Sequence, residues 1–266
     1  FWLKCSSSAC ECADMDEAKR LVEASSRILI LTGAGISTDS GIPDFRGPSG
    51  VWTKNPAAEK ASNIEYWLSD PEVRHARWAA MLKSRGRGSS TTAPNAGHRA
   101  VAELERRGKL LCLVTQNVDG LHTAAGSSEV VEVHGNVRQT RCLDCGELLP
   151  VDRTLDRVAA GESDPRCLSC GGMLKSATIS FGQSLIEKDL RRAFVAAQAC
   201  DLLIAVGSTL SVYPVADCVP TAHQMGTPII IVNQGVTEFD HIASVKLEER
   251  ISEVLPQLLL EKGAKL

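Results

Sequence analysis

Four short apolar runs lie along this chain, and each gives way to polar residues or glycine at its carboxyl end. A continuous apolar run of about four to eight residues is typical of a strand buried on both faces of a parallel sheet. We therefore predict four such strands, in "RILILTGAG" (27–35), "KLLCLVTQN" (109–117), "DLLIAVGST" (201–209) and "PIIIVNQG" (228–235).

Segments with apolar residues at helical spacing alternate with these strands. They lie at 16–26, 96–107, 188–199 and 216–225. Alternating strands and helices predict an α/β fold with a doubly wound parallel sheet. Such sheets bind ligands outside the carboxyl ends of their strands, so we expect the loops after the four strands to form a site.

Two segments interrupt the alternation. Residues 47–92 hold aromatic and helical pieces, and residues 138–174 hold four cysteines in two pairs. The predicted division is therefore an N-terminal extension (1–15), a discontinuous sheet domain (16–46, 93–137 and 175–266), a helical insert (47–92) and a cysteine-rich domain (138–174).

The composition is that of a globular protein, with 44% of the 266 residues hydrophobic and 23% charged. The net charge of −3 argues against nucleic-acid binding driven by electrostatics. No apolar run approaches the roughly 20 residues that span a bilayer. The N-terminus lacks the long apolar core of a secretory signal. We expect a cytoplasmic monomer that binds neither membranes nor nucleic acid.

The two Cys-x-x-Cys pairs predict a structural zinc site. The pairs are Cys142 with Cys145 and Cys167 with Cys170. Each pair supplies two thiolates from one tight turn, and two pairs complete the tetrahedral sulfur shell that zinc prefers. Four thiolates close that shell and leave no position for water, so this metal is expected to be structural rather than catalytic.

Gly33, Ala34 and Gly35 follow the first predicted strand and suggest a nucleotide-binding loop. Glycines there let the backbone approach a pyrophosphate, which the N-terminus of a following helix stabilises. The usual dinucleotide pattern is incomplete, because Thr38 stands at the third glycine position. A plain strand-to-helix turn is the alternative.

Two further loops hold candidate ligand-binding groups. In "SGIPDFRGPSGVW" (40–52), an acid, an aromatic and a base follow one another, which suits a mobile cover over a ligand. The alternative is a solvated loop whose aromatic ring enters the core. In "TQNVDGLH" (115–122), amides and a carboxylate end a strand, where they can bind a carboxamide or ribose hydroxyls, or merely form a turn.

His134 lies ahead of the first cysteine pair and has three interpretations: a zinc ligand, a structural residue or a catalytic group. Four cysteines make a histidine ligand unnecessary. His134 follows the apolar alternation "VVEV", which places it at a strand end near the other loops, and Gly135 leaves room for a substrate. We therefore regard it as a catalytic candidate. The other histidines are interpreted as structural or surface residues: His75, His98, His122, His223 and His241.

Taken together, these motifs resemble the sirtuin family of NAD-dependent protein deacylases. The resemblance extends in order from about Ala18 to Leu260. Its motifs are "GAGIS" (33–37), "GIPDFRG" (41–47), "TQNVDGLH" (115–122), "HG" (134–135), the two cysteine pairs, "ISFGQ" (179–183), "GSTLSVYP" (207–214) and "VNQG" (232–235).

The resemblance implies a Rossmann-like NAD domain with a small zinc-ribbon domain and a helical insert, and an acyl-lysine protein substrate in the cleft between the domains. NAD would be the co-substrate and zinc the structural metal. The residues implied to bind NAD are Gly33, Ala34, Gly35, Ser37, Asp44, Phe45, Arg46, Gln116, Asn117, Asp119, Gly207, Ser208, Thr209, Asn233, Gln234 and Ile251. Those implied to bind the peptide as an added strand are Ser180, Phe181, Gly182, Ser211 and Val212.

The resemblance also implies the chemistry. The acyl carbonyl oxygen attacks the ribose carbon that nicotinamide leaves, and His134 then takes a proton through the ribose hydroxyls, with Asn117 as a second catalytic residue. A neutral imidazole suits this step, because the ordinary pKa of histidine is about 6.5. Nicotinamide leaves first, and water later releases O-acyl-ADP-ribose and free lysine.

One departure from the family pattern concerns the acyl group. Members that remove acidic acyl groups have a Tyr-x-x-Arg pair in the helical insert, where this chain has Trp78 and Met81. Burying an acidic acyl group without a cation is costly, so we predict neutral acyl groups, acetyl first. Arg74 or Arg77 could substitute for the missing cation.

Three other functions remain alternatives. One is ADP-ribosyl transfer or NAD hydrolysis in the same pocket. Another is a zinc-stabilised module that binds NAD without turnover, which the presence together of His134, Asn117 and Asp119 argues against. The third is a nucleic-acid-binding zinc ribbon, but basic and acidic residues balance across 138–174 and leave no strongly basic face.

Overall fold

A computed structural model describes residues 8–45, 47, 50–55, 62–88 and 92–261 of the chain. The predicted NAD-binding residue Arg46, residues 1–7 of the predicted N-terminal extension and parts of the predicted helical insert lie outside these ranges.

The described residues form two sheets. Their strands are β1 (Ile28–Thr32), β2 (Leu110–Thr115), β3 (Val130–Glu132), β4 (Gly135–Cys142), β5 (Leu148–Pro150), β6 (Leu174–Thr178), β7 (Leu202–Val206), β8 (Ile229–Val232) and β9 (Val245–Leu247). The larger sheet has the order β3-β2-β1-β7-β8-β9, and all its neighbouring strands are parallel. The smaller sheet has the order β5-β4-β6 and is antiparallel.

The helices surround these sheets. The α-helices are α1 (Ser8–Ala24), α2 (Val51–Lys54), α3 (Ile64–Ser69), α4 (Pro71–Gly88), α5 (Ala96–Arg106), α6 (Leu121–Ala124), α7 (Val151–Ala159), α8 (Glu187–Ala199), α9 (Cys218–Gln224) and α10 (Ile251–Leu259). Short 3-10 helices span Ala34–Ser40, Val215–Asp217 and Asp240–Ile242. None of the described helices is both long enough and apolar enough to cross a membrane.

The larger sheet is covered on both faces, which confirms the predicted doubly wound fold. Successive residues of β1 point to opposite faces: Ile28 and Ile30 pack with α1, α5 and α10, whereas Leu29 and Leu31 pack with α8 and α9. All five residues of β1 are buried. Each fully buried aliphatic side chain contributes about 1.5–3 kcal/mol relative to exposure, so this central strand stabilises both halves of the core.

The four predicted strands are all present, whereas the three strands of the smaller sheet were not predicted. The predicted helix after Gly33 is a 3-10 helix, and the helix predicted at 216–225 divides into a 3-10 turn and α9. Pro220 lies in the first turn of α9, where its missing N–H costs no hydrogen bond. β9 was not predicted, because three residues are too few to establish a period.

The smaller sheet, α7 and the insert helices α3 and α4 share one apolar core. Trp67 and Trp78 from the insert meet edge to face at 5.5 Å and pack with Leu155 and Leu174. Arg74, which is buried, also joins the two parts: it pairs with Asp164 at 3.0 Å. The insert and the cysteine-rich segment therefore form a single packed unit.

Candidate active site

A cavity of about 1590 Å³ lies at the carboxyl ends of the central strands and extends toward the insert and the smaller sheet. Most of the predicted site residues line it. They are Gly33, Ala34, Gly35, Asp44, Phe45, Gln116, Asn117, His134, Ser180, Phe181, Gly182, Gly207, Ser208, Thr209, Val212, Asn233 and Gln234. The cavity is large enough for a dinucleotide together with part of a peptide.

Among the described residues predicted to bind NAD or the peptide, four lie off the cavity wall. Ser37 is buried directly behind Asn117, and Asp119 accepts a hydrogen bond from Ser37. Ile251 begins α10 and packs in the core, and Ser211 bonds to Thr209. Contact between these four and a ligand stays a prediction.

The backbone of Gly33 and Gly35, in the loop after β1, lies directly against the backbone of the loop after β7. A Cβ added to Gly35 would lie 2.6 Å from the Cα of Gly207, and one added to Gly33 would lie 2.7 Å from the Gly207 oxygen. Gly207 itself has φ of 63°, a conformation that disfavours side chains. The close contact of the two loops therefore requires these glycines whether or not a ligand is bound.

Hydrogen bonds orient the side chain of Asn117. Its amide nitrogen donates to the Gly33 carbonyl oxygen at 3.0 Å and to the Ser37 hydroxyl at 3.2 Å. Ser37 can accept there because its own proton goes to Asp119, at 2.7 Å. Both amide hydrogens of Asn117 are thus used, and its side-chain carbonyl oxygen is the atom that it can offer to a ligand.

His134 follows β3, and its ring is held in one tautomer. Nδ1 lies 3.0 Å from the carbonyl oxygen of Gln116, which can only accept, so Nδ1 has the proton and Nε2 keeps its lone pair. Burial lowers the pKa of His134, while the hydrogen bond to Gln116 raises it. The imidazole is therefore a neutral base at pH 7. The side-chain amide of Gln116 in turn donates to the Ser208 hydroxyl, at 3.2 Å.

The backbone conformation and a close contact require glycine at position 135, in addition to the predicted room for a substrate. Its φ is 71°, and an added Cβ would lie 2.0 Å from the carbonyl oxygen of Ala177 on β6. The backbone next to His134 is also tied to the same segment, because Ile179 donates to the His134 carbonyl oxygen at 2.8 Å. The close crossing of β4 and β6 thus fixes the position of the histidine.

Sequence reasoning treated His98 and His122 as structural or surface residues, and the structure places both directly beneath this site. Their rings meet edge to face at 4.9 Å, and each is buried. His98 bonds to Ser37, and His122 bonds to Thr32 at the end of β1. Each histidine ends a motif ("NAGH" and "GLH") within one turn of a helix start, which is the sequence feature that could have indicated them.

Acidification is expected to destabilise the fold through these two histidines. Burial lowers the pKa of His98 to about 4 and that of His122 to about 3, from the ordinary 6.5. Below pH 6.5 the unfolded chain binds protons at these histidines that the folded chain excludes. The contribution of the two neutral histidines to the free energy of unfolding is therefore fully present above pH 6.5. It is lost as the pH falls toward 4, by about 1.4 kcal/mol per pH unit for each histidine. Urea midpoints at pH 7, 6 and 5 measure the loss.

The control for this prediction is the double variant His98→Gln/His122→Gln, in which neither side chain titrates. Its urea midpoint is expected to fall less steeply between pH 7 and 5 than that of the wild type. Parallel curves for the two proteins would contradict the assignment of the pH dependence to this pair.

The four cysteines of the predicted zinc site lie together. Their sulfur atoms are all within 4.8 Å of one another, with Cys142 3.5 Å from Cys170 and Cys145 3.8 Å from Cys167. Zn–S bonds of about 2.3 Å in a tetrahedron place sulfurs about 3.8 Å apart, so the cluster fits zinc. Among the described residues, this ligand cluster contains no histidine, which leaves His134 to the cavity.

The chain matches known proteins over most of its length. The model of the Sir2 family matches residues 33–214. The "NAD-dependent protein deacetylase 2" of Streptomyces coelicolor is 46% identical over 238 residues, covering 89% of this chain and 98% of that protein. The "NAD-dependent protein deacetylase" of Sulfurisphaera tokodaii is 40% identical over 244 residues, covering 91% and 94%.

Solved structures show the same arrangement. A Sir2 structure with a deacetylated p53 peptide and 3′-O-acetyl ADP ribose superposes with a TM-score of 0.82 at 34% identity, covering 94% of this chain and 98% of that one. A Sir2 complex with a p53 peptide and NAD+ has a TM-score of 0.80 at 33% identity, covering 92% and 96%.

Proposed function

Since this chain belongs to the Sir2 family, we propose that it removes acetyl groups from lysine side chains of proteins with NAD as co-substrate. The observation that supports this best is the neutral imidazole of His134, whose Nε2 lone pair is available at the wall of the cavity. The products are nicotinamide, O-acetyl-ADP-ribose and free lysine. Zinc is structural, because the four cysteines complete its shell.

We assign NAD to the part of the cavity where the loops after β1, β2, β7 and β8 meet. When bound, NAD would supply a ribose carbon that the acyl carbonyl oxygen can attack as nicotinamide leaves. Asn117 orients the co-substrate with its side-chain carbonyl oxygen, and His134 accepts a proton at Nε2. The backbone N–H groups of Gly33, Gly35 and Gly207 already donate to carbonyl oxygens of Val206, Gly207 and Val232. Ser208 and Asn233 therefore supply side-chain contacts to the adenosine half.

We assign the peptide to the side of the cavity formed by residues 180–182 and 211–212. The backbone N–H and C=O of Phe181 already pair with Ser62 and Ile64 of the insert, at 3.0 and 2.9 Å. Phe181 therefore contributes its half-exposed ring, and the peptide backbone pairs with Gly182 and with the N–H of Val212.

The acyl group is proposed to be neutral. Trp78 is fully buried against Trp67, and Arg74 is neutralised by Asp164, so neither offers a partner to an acidic acyl group. Arg77 and Lys175 do line the cavity. The Lys175 ammonium already donates to two backbone carbonyl oxygens, and burial lowers the pKa of Arg77, which disfavours its charged form. Burial and the nearby Arg77 lower the pKa of Lys175 to about 8.

The test is an NAD-dependent deacylation assay on one peptide sequence carrying acetyl-, propionyl- or succinyl-lysine. We expect acetyl-lysine to be hydrolysed fastest, with kcat/KM at least tenfold above that for succinyl-lysine, since an unpaired buried carboxylate costs more than 1.4 kcal/mol. Faster removal of succinyl would overturn the acyl preference. Nicotinamide release at the same rate without peptide would instead indicate NAD hydrolysis.

We also propose a cytoplasmic, monomeric enzyme that acts without nucleic acid. Two pairs of metal-binding thiols suit a reducing compartment. One chain supplies every residue assigned above. Sedimentation at micromolar concentration tests the monomer.

A further inference from the structure

His98 and His122 lie beneath the proposed NAD site but take no part in the steps described above. They fill the space between the ends of β1 and β2 and the buried side chain of Ser37. Burying two imidazoles against each other is costly unless their polar atoms have partners. The Nε2 atom of His98 has Ser37 as its partner and that of His122 has Thr32, whereas Nδ1 of His122 has no partner among the described residues.

The hydrogen bonds of His98 have a fixed direction. Its Nδ1 accepts from the backbone N–H of Asn95, at 3.3 Å, within the capping box that begins α5. The proton is therefore on Nε2, which points at the Ser37 hydroxyl oxygen, 3.4 Å away. Ser37 gives its own proton to Asp119 and also accepts from Asn117. His98 thus completes the set of bonds that orients Ser37 and Asn117.

His122 supports the same segment from below. The Thr32 hydroxyl donates to that of Thr115 at 2.8 Å, so Thr32 can accept from the Nε2–H of His122, 3.1 Å away. Thr115 in turn accepts from the backbone N–H of Asn117, at 3.1 Å. This chain of bonds runs from His122 through the ends of two neighbouring strands to the backbone of Asn117.

We propose that His98 and His122 are positioning residues of the deacetylase: His98 orients the side chain of Asn117 through Ser37, and His122 orients its backbone through Thr32 and Thr115. The inference rests on the proposed function, because the roles of Asn117 and Ser37 belong to it. Neither histidine touches the cavity wall.

Burial keeps the pair neutral during catalysis. Asp119 raises the pKa of His98, Arg99 lowers it, and His98 lowers that of His122, but burial has the largest effect on both. Protonation of His98 would also place an N–H opposite the N–H of Asn95. The pair is therefore expected to leave the pH dependence of activity near neutrality to His134.

The test exchanges each histidine for the two amides. Glutamine places an N–H where Nε2 stands, whereas asparagine reaches only the position of Nδ1. His98→Asn therefore keeps an acceptor for Asn95 but loses the bond to Ser37, and His98→Gln keeps the bond to Ser37. We expect kcat/KM for NAD to fall at least tenfold in His98→Asn and less than threefold in His98→Gln, since one buried hydrogen bond is worth about a factor of ten. The same order is expected for His122→Asn and His122→Gln.

A double-mutant cycle with Ser37→Ala separates positioning from a structural role. If His98 acts through Ser37, His98→Asn lowers kcat/KM little further in the Ser37→Ala background. Equal losses in the asparagine and glutamine variants, or additive losses with Ser37→Ala, would overturn the inference. Urea midpoints of all variants check that the folded fraction is unchanged at the assay temperature. The wild type is assayed alongside, and an inactive wild type would count against the proposed function instead.

Discussion

Replacing His134 by alanine is expected to reduce kcat/KM for deacetylation by about two to four orders of magnitude, the usual contribution of a general base. The substitution removes the Nε2 lone pair at the cavity wall. Binding of NAD is expected to change little, because the nucleotide contacts lie on other loops. Steady-state kinetics with an acetyl-lysine peptide and titration calorimetry with NAD separate the two effects.

The matched control is His134→Asn, which retains a donor for the Gln116 carbonyl oxygen but has no base at the position of Nε2. Its loss is expected to equal that of His134→Ala. In the wild type, burial lowers the pKa of His134, so kcat/KM is expected to fall only as the pH drops below about 6.5. Full activity in His134→Ala would show that another group takes the proton.

Loss of zinc is expected to abolish activity by unfolding the cysteine-rich segment. Structural zinc contributes about 10–16 kcal/mol in small zinc domains, which is as large as the whole stability of an ordinary domain. Cys142 and Cys167 are also part of the core that Trp67 and Trp78 complete. The insert, and with it one wall of the cavity, should therefore loosen when the metal leaves.

Cys170→Ala tests this prediction, with zinc content, near-ultraviolet dichroism of the tryptophans and deacetylation as readouts. Cys112→Ala is the control, since Cys112 is a half-buried thiol on β2 outside the cluster. It is expected to keep one zinc per chain and its activity. A Cys170→Ala protein that binds no zinc but keeps its tryptophan dichroism would refute a structural role for the metal.

The apolar pattern of single segments was enough to predict the four central strands of the larger sheet. β1, β2, β7 and β8 are apolar on both faces, and that property is visible in any single run. β9 is only three residues long and was missed. The strands β4, β5 and β6 and the helix α7 were also missed, because they lie in or beside a segment whose cysteines dominate its pattern.

The site was predicted unevenly for a similar reason. The sequence predicted that His134, Asn117 and the glycine loops share one site. Each follows a strand, and the carboxyl ends of parallel strands lie at the same edge of a sheet. The sequence could not indicate that His98, from a helix start, would meet His122 edge to face. The sequence also could not indicate that the loop at Gly207 requires Gly33 and Gly35, because a contact between two backbones is not visible in the residue types of either loop.

The shared core of the insert and the cysteine-rich segment limits how this enzyme can be divided or recombined. Trp67 and Trp78 belong to the insert, yet they are the largest side chains around Cys142 and Cys167. A fragment holding only the cysteines and their strands would leave the indole-packing surface exposed to water and would be prone to aggregate. A chimera that exchanges zinc ribbons between relatives must therefore transfer residues 62–88 as well. Otherwise the packed surfaces of the insert and of the cysteine-rich segment must be redesigned together.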